Sequence, residues 1–295
     1  MHKFMLERVD YMISVSELSK RYKQKHVLKQ ISFDIPQGGL YGLVGPNGVG
    51  KTTLLSMLVN LIQADSGSIS VANHETSDAQ YLKNIGFMQD NTVLYPHLTG
   101  YDHLAYVAYA HGIEETEIER VAQRVGNAPY LRQKVGSYSL GMKQHLLFAC
   151  AILHRPAVLL LDEPFNGLDP TSLIRIRELV MQLNSEGTTV LVSSHNLVEV
   201  DRMTNHILFL KDGHVLKYDL ASYKQKSYVL TLQDTAHCQF LPNVSVLATN
   251  KVLIEADHLT QSLVRLQENQ VQVLDIETSV SGSEELYRQI YLSET

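Results

Sequence analysis

The chain has 295 residues, enough for one large domain or for a main domain with a smaller companion. Its balance of 44% apolar against 19% charged residues suits a globular protein with a substantial core. A formal net charge of −6 gives no electrostatic case for nucleic acid as a partner, and no apolar run reaches the length that crosses a bilayer.

Met1 to Tyr11 carries charges throughout and lacks the apolar centre of a signal sequence, and Met12 opens a plausible alternative start. "YMISVSEL" alternates, and "ISFDIP" places Ile31, Phe33 and Ile35 on one face, so both predict half-buried antiparallel strands. The basic run "SKRYKQKHVLK" between them reads as a solvated face or loop. "LYGLV" is continuously apolar, as a parallel strand covered on both faces must be. It runs into "GPNGVGKTT", Gly45 to Thr53, and then into the helix-like "LLSMLVNLI".

The pattern G-x-x-x-x-G-K-T between a buried strand and a helix is the loop whose amides cradle phosphates at a helix N-terminus. Gly45, Gly48 and Gly50 let the main chain approach a ligand closely. Lys51 is placed to reach the β- and γ-phosphates, and Thr52 to offer its hydroxyl to Mg²⁺.

From about Asn91 to His154 the reading is mostly helical. Thr99 and Asp102 stand at capping-box spacing, and Ile118, Val121, Ala122 and Val125 form a helical stripe. "AVLLLD" and "TTVLVSSH" are again buried parallel strands. The helix between them carries Leu173, Ile176, Leu179, Val180 and Leu183, with Gly187 as its stop. Strand, helix and strand in that order make a parallel α/β core. "VLLLDEP" ends its strand on Asp162, suited to hold Mg²⁺ through water, with Glu163 beside it to polarise an attacking water.

"HILFLKDGHVLKY" predicts a hairpin turning at Asp212-Gly213. Apolar density then drops, which sets a boundary near Asp219. Beyond it, alternating and amphipathic stretches predict a small α+β domain without a catalytic cluster. Two cysteines without a leader point to a reducing cytosol, and Cys150 inside "LLFACAIL" reads as a buried free thiol; Cys238 matches no metal spacing with it.

Together with "YSLGMKQ" (Tyr138 to Gln144) upstream of "VLLLDEP", and "NGLDP" and "SSHN" downstream, the set resembles the ATP-binding cassette ATPases, the nucleotide-binding subunits of ABC transporters. The resemblance spans about Met12 to Tyr218. It implies the ABC ATPase fold: a parallel-sheet core with an antiparallel β subdomain and a helical subdomain over about 91–154, followed by an accessory domain over 219–295. It implies ATP and Mg²⁺ as ligands, with Gly45, Asn47, Gly48, Gly50, Lys51, Thr52 and Thr53 as Walker A, and Tyr22 stacking on adenine. It implies that Glu163, His195 and Gln89 serve hydrolysis, with Thr52, Gln89 and Asp162 around the metal.

It further implies two cassettes packed head to tail, with two identical chains as the first reading and a heterodimer open beside it; Ser139 and Gly141 face the γ-phosphate held by the partner, Gln144 completes the signature motif and Asp169 reaches across the dimer. "YSLGMKQ" is similar to the form found in bacterial exporters of peptides, antibiotics and lipids. There the next residue is commonly arginine; here it is His145, a departure expected to weaken a surface contact. The implied setting is the cytoplasmic face of the membrane, where a separate permease subunit holds the ATPase. The cluster Tyr95, Pro96, Leu98 and Tyr101 after Gln89 is a candidate docking surface for it.

A soluble cassette ATPase acting on a non-membrane partner is the alternative. Translation-type members carry two cassettes and basic linkers, and repair-type members long coiled coils; neither occurs here. A guanine-nucleotide switch would require NKxD, and "NKVL" at Asn250 lacks the aspartate.

Overall fold

A computed structural model of the chain describes residues 11–222, 226–233, 241, 244–248, 250–280 and 282–292; Cys238 and the first ten residues lie outside them. The chain divides between Tyr218 and Asp219 into two compact units.

In the first unit, β1 (Tyr11–Tyr22) pairs antiparallel with β2 (Lys25–Pro36). Ile13 and Val15 are buried, and then the buried position jumps to Leu18. That jump coincides with a register shift between Val15 and Leu18 and with positive φ at Glu17 (49°) and, on the facing strand, Gln30 (48°). A bulge of this kind flips the alternation by one residue and keeps the same face inward. Ile31, Phe33 and Ile35 share the buried face, as their spacing predicts. The basic run is a hairpin end, strand on both sides of Lys23–Gln24, with the side chains from Arg21 to His26 exposed and Leu28 buried.

β3 (Leu40–Val44) is buried along its whole length and leads into α1 (Lys51–Leu58). β4 (Ser66–Val71) returns beside β1, and β5 (His74–Glu75) closes a four-stranded sheet in the order β2-β1-β4-β5. The second sheet contains β6 (Ile85–Met88), β7 (Val158–Asp162), β8 (Thr189–Ser194), β9 (His206–Lys211) and β10 (His214–Asp219). Its order is β10-β9-β3-β8-β7-β6, with β9, β3, β8, β7 and β6 all parallel. Its two faces enter different cores. Leu40, Leu159, Leu161, Val190 and Val192 pack with the helical region. Tyr41, Leu43, Leu160, Leu191, Leu208 and Leu210 pack with the antiparallel sheet and α1. Being covered on both faces is why these strands read as unbroken apolar runs.

Between β6 and β7 lie α2 (Gly100–His111), α3 (Glu115–Val125) and α4 (Leu140–Ile152). The Thr99–Asp102 capping box starts α2, and left-handed Gly112 and Gly126 stop α2 and α3. Ile118, Val121, Ala122 and Val125 are the buried stripe of α3. α5 (Pro170–Ser185) and α6 (Leu197–Met203) complete the unit, and β9 and β10 turn at Asp212 (φ 52°) and Gly213 (φ 84°).

The second unit holds a four-stranded sheet of β11 (Lys226–Leu232), β12 (Val244–Ala248), β13 (Lys251–Glu255) and β14 (Val273–Val280), ordered β12-β13-β11-β14. α7 (Leu259–Glu268) brings Leu266 against Leu230, Leu232, Val252 and Ile254, and α8 (Ser283–Tyr291) ends the described chain.

Candidate active site

The parallel strands β3, β7 and β8 end side by side, and the residues just past those ends form the site. After β3, the chain turns through Gly48 (φ 75°) and reaches Gly50 (φ 121°), the N-cap of α1. Only glycine suits Gly50: a Cβ there would also stand 2.7 Å from Val27 Cγ1. That approach seats the β1–β2 hairpin, which carries Tyr22, over the start of α1. Tyr22 is exposed at the end of β1, with Lys20 Nζ 5.5 Å from its ring centroid.

α1 has no side-chain cap and no acid in its first turn, so its first-turn amides and the positive end of its dipole face outward. Lys51 Nζ is buried, with 6% of the residue exposed, and donates to the Gly45 carbonyl at 2.7 Å. Its carboxylate partner is Glu163 Oε1, 3.5 Å away. An uncapped helix start, a glycine turn and a buried cation together fit a polyphosphate. Asn47 and Thr52 are exposed on this loop, Thr53 half-buried, and Gly45 buried beneath it.

Asp162 ends β7 directly opposite Ser193 of β8. The Ser193 hydroxyl donates to Asp162 Oδ1 at 2.5 Å and accepts from the Glu163 N–H at 3.0 Å. Glu163 takes φ 50°, a left-handed conformation that costs a non-glycine residue on the order of 1 kcal/mol and aims its side chain back across the strand ends. Its Oε2 lies 2.8 Å from His195 Nδ1 and accepts from the His195 N–H at 3.3 Å. One carboxylate thus spans Lys51 and His195, which are 144 residues apart in the chain. Met88 pairs with Leu161, so Gln89 follows β6 at the level of Asp162. Gln89 also lines a groove of about 390 Å³ with Tyr95, Leu98, Tyr106, Leu147 and Cys150. Cys150 is a free thiol only partly buried, packed on the helical core and lining this groove, rather than fully buried as its apolar surroundings predict; burial pushes its thiol up to about 12.

A second group gathers at the start of α4. Ser139 is exposed and caps the helix, accepting from the Met142 N–H at 3.3 Å. Gly141 lies beside Gly167 and Leu168. Asp169 caps α5, accepting from the Thr171 and Ser172 amides at 3.0 and 3.1 Å, and the Ser172 hydroxyl and these amides hold its carboxyl below the usual range. Among the described residues, no hydrogen bond or ion pair of Ser139 or Asp169 reaches Lys51, Glu163 or His195.

Gln144 is 6% exposed, and its Oε1 finds no partner among the described residues. His145 corrects the expectation of a weakened surface contact. It is 8% exposed, its Nδ1 3.0 Å from the Tyr130 hydroxyl, and burial first, then Arg175, lowers its affinity for a proton. Position 145 therefore faces the inside of the helical region and not its surface, because α4 buries this face against Tyr130.

Ser193 escaped the reading of the sequence. Its only trace there is a serine two residues before His195, and its partner Asp162 is 31 residues earlier, brought alongside by strand pairing.

A metal cluster of three or more His, Cys, Asp or Glu side chains is absent among the described residues. The oxygens present, the Thr52 hydroxyl and the Asp162 carboxylate, suit Mg²⁺, which keeps several waters and takes the rest of its shell from phosphate.

Residues 28–166 match the sequence model of the family described as ABC transporter. The chain is 39% identical over 207 residues to the uncharacterized ABC transporter ATP-binding protein YdbJ of Bacillus subtilis, covering 69% of this chain and 67% of that protein. It is 36% identical to the lantibiotic transport ATP-binding protein SrtF of Streptococcus pyogenes, over 70% of this chain and 89% of that one. With the bacitracin transport ATP-binding protein BcrA of Enterococcus faecalis the identity is 32%, over 92% and 87% of the two chains. Among solved structures, an ATP-binding subunit of an ABC transporter superposes with a TM-score of 0.67 at 30% identity, covering 72% of this chain and 91% of that one. A dimeric bacterial ABC transporter cassette superposes with a TM-score of 0.66 at 26% identity, covering 71% and 99%.

Proposed function

The chain belongs to the ATP-binding ATPases of ABC transporters, and from that membership we propose that two copies pair head to tail to power export through a separate membrane subunit. The names of the lantibiotic and bacitracin relatives support a peptide-antibiotic cargo, and the dimeric cassette among the structural relatives supports the pairing. The ATPase work is assigned to residues 12–218, with 91–154 as the helical subdomain and 219–295 as an accessory domain. Its place is the inner face of the cell membrane, held there by the permease. The groove beside Gln89, walled by Tyr95, Leu98 and Tyr106, offers the apolar surface a membrane subunit's cytoplasmic helix needs.

The observation that carries the chemistry is the Glu163 carboxylate held between Lys51 and His195. Glu163 lies 3.5 Å from the Lys51 ammonium and offsets a buried charge that would otherwise be costly. A γ-phosphate is the stronger partner for Lys51, and its binding releases Glu163 to hold the attacking water. The water oxygen bonds to the γ-phosphorus, the bond to the β-phosphate oxygen breaks with ADP as leaving group, and the water proton passes toward Glu163 or the phosphate. Thr52, Asp162 through water, and Gln89 would hold Mg²⁺, which would neutralise the phosphate charge. Tyr22 stacks on the adenine, His195 contacts the γ-phosphate, and Ser139, Gly141, Gln144 and Asp169 serve the partner's nucleotide.

Glu163→Gln keeps the contacts' shape and removes the base. ATP binding by titration should persist while steady-state turnover drops by roughly 10²-fold or more. Turnover at the wild-type rate would remove Glu163 from this role.

A further inference from the structure

We propose that Tyr130 is a positioning residue for the segment 139–144, holding it at both ends so that Ser139 and the first amides of α4 present themselves to the nucleotide of a second copy. The proposal rests on the reading that this segment acts in trans.

The start of the segment has little side-chain fastening of its own. Ser139 is exposed, and its cap contact to the Met142 N–H is long at 3.3 Å. The residues that flank it are held firmly, both by Tyr130. On one side Tyr138 is buried, its hydroxyl donates to the Tyr130 carbonyl at 2.7 Å, and the two rings meet edge to face with centroids 5.1 Å apart. On the other side His145, one residue past Gln144, hydrogen-bonds the Tyr130 hydroxyl through Nδ1 at 3.0 Å. Tyr130 itself ends the short 3-10 turn Ala128–Tyr130, which follows the left-handed stop of α3 at Gly126.

Burial pushes the Tyr130 phenol up, so it remains a neutral hydroxyl at working pH. Burial also keeps His145 neutral, with Arg175 lowering and Asp169 raising its affinity for a proton. The bond between them is therefore neutral on both sides, part-buried, and directional. A helix start aimed at an anion loses effect when displaced by a fraction of its hydrogen-bond length, so a two-ended anchor acts on turnover.

The test uses full-length chains. Tyr130→Phe keeps the ring and the carbonyl that Tyr138 grips, and removes only the hydroxyl that meets His145. KM for ATP should stay within about twofold while kcat falls roughly three- to tenfold, the share of one neutral hydrogen bond. Mixed with an inactive Lys51→Ala chain, the variant should regain activity. The heterodimer then joins the variant's intact Lys51 loop to an unaltered segment 139–144. His145→Leu should show the same loss and the same rescue, and combining it with Tyr130→Phe should add almost nothing.

Unchanged kcat in Tyr130→Phe would overturn the proposal. So would failure of rescue in a mixture where Ser139→Arg, paired with the same Lys51→Ala chain, is rescued; Tyr130 would then act within its own chain. If Ser139→Arg is not rescued either, the two-copy reading falls, and the proposal with it.

Discussion

Among the residues outside the phosphate site, His154 carries a readable cost. His154 Nε2 lies 3.1 Å from the Ile85 carbonyl and donates to it, which leaves Nδ1 as the unprotonated nitrogen, buried and without a partner among the described residues. The ring stacks on His111 with centroids 4.0 Å apart. Burial holds His154 down to about 4, and the neighbouring His111 adds to the effect. A histidine with a native value below its unfolded value of about 6.5 takes up its proton more readily once unfolded. Stability from this group is therefore intact above about 6.5 and is lost as pH falls from there toward about 4. His111, lowered by burial, and His145 push the same way. His154→Gln retains a donor for the Ile85 carbonyl and cannot be protonated. Its melting temperature should fall less between pH 7 and pH 5 than that of the wild type; equal slopes would place the acid sensitivity elsewhere.

Helices α5 and α6 both begin at residues of the site, Asp169 and the residues after His195, so their mutual fastening bears on the geometry of hydrolysis. Glu199 provides it. It is 4% exposed on α6, 2.6 Å from Arg177 of α5 and 2.7 Å from Arg202 of its own helix. Asn196, next after His195, caps α6 by accepting from the Glu199 N–H at 3.3 Å. A buried carboxylate met by two guanidiniums is costly to break from one side, because the largely buried Arg177 is left without its counter-charge. Glu199→Ala should lower unfolding free energy by about 3 kcal/mol, measured by denaturant midpoint. Glu199→Gln, which keeps a hydrogen-bonding oxygen, should lower it less. Equal losses from the two variants would show that packing rather than charge holds the helices.

The division of the chain separates chemistry from whatever the second unit adds. Every residue assigned to the phosphate site, from Tyr22 to His195, belongs to the first unit, and the second has a core of its own built on Leu230, Leu232, Leu241, Val252, Ile254 and Leu266. A chain ending after Tyr218 should therefore bind ATP as the full chain does, by titration with a fluorescent nucleotide. We propose for the second unit a role in assembly, so the truncated chain should lose dimer affinity or coupling to the membrane subunit. The alignment with BcrA, over 92% of this chain, extends past the ATPase unit and supports a retained role. Loss of ATP binding in a truncated chain that is still folded would mean that the second unit completes the site.

The strands and helices were legible in the residues because their causes are local. Period-two alternation in "ISFDIP", the unbroken run "LYGLV", the Thr99–Asp102 cap and the stripe of α3 each act within a few positions. The phosphate loop was legible for the same reason: its glycines, lysine and hydroxyls are consecutive, and the backbone geometry they need is their own. The bulge that moves the buried face from Val15 to Leu18 was not, since it depends on what β1 pairs with. Nor was the hydroxyl of Ser193 against Asp162, which only strand register brings alongside. The placement of Glu163 between Lys51 and His195, and the burial of His145 beneath Tyr130, were decided by three-dimensional neighbours far apart in the chain. Short-range sterics and periodicity select each element, whereas register and packing, summed over distant contacts, decide which side chains meet.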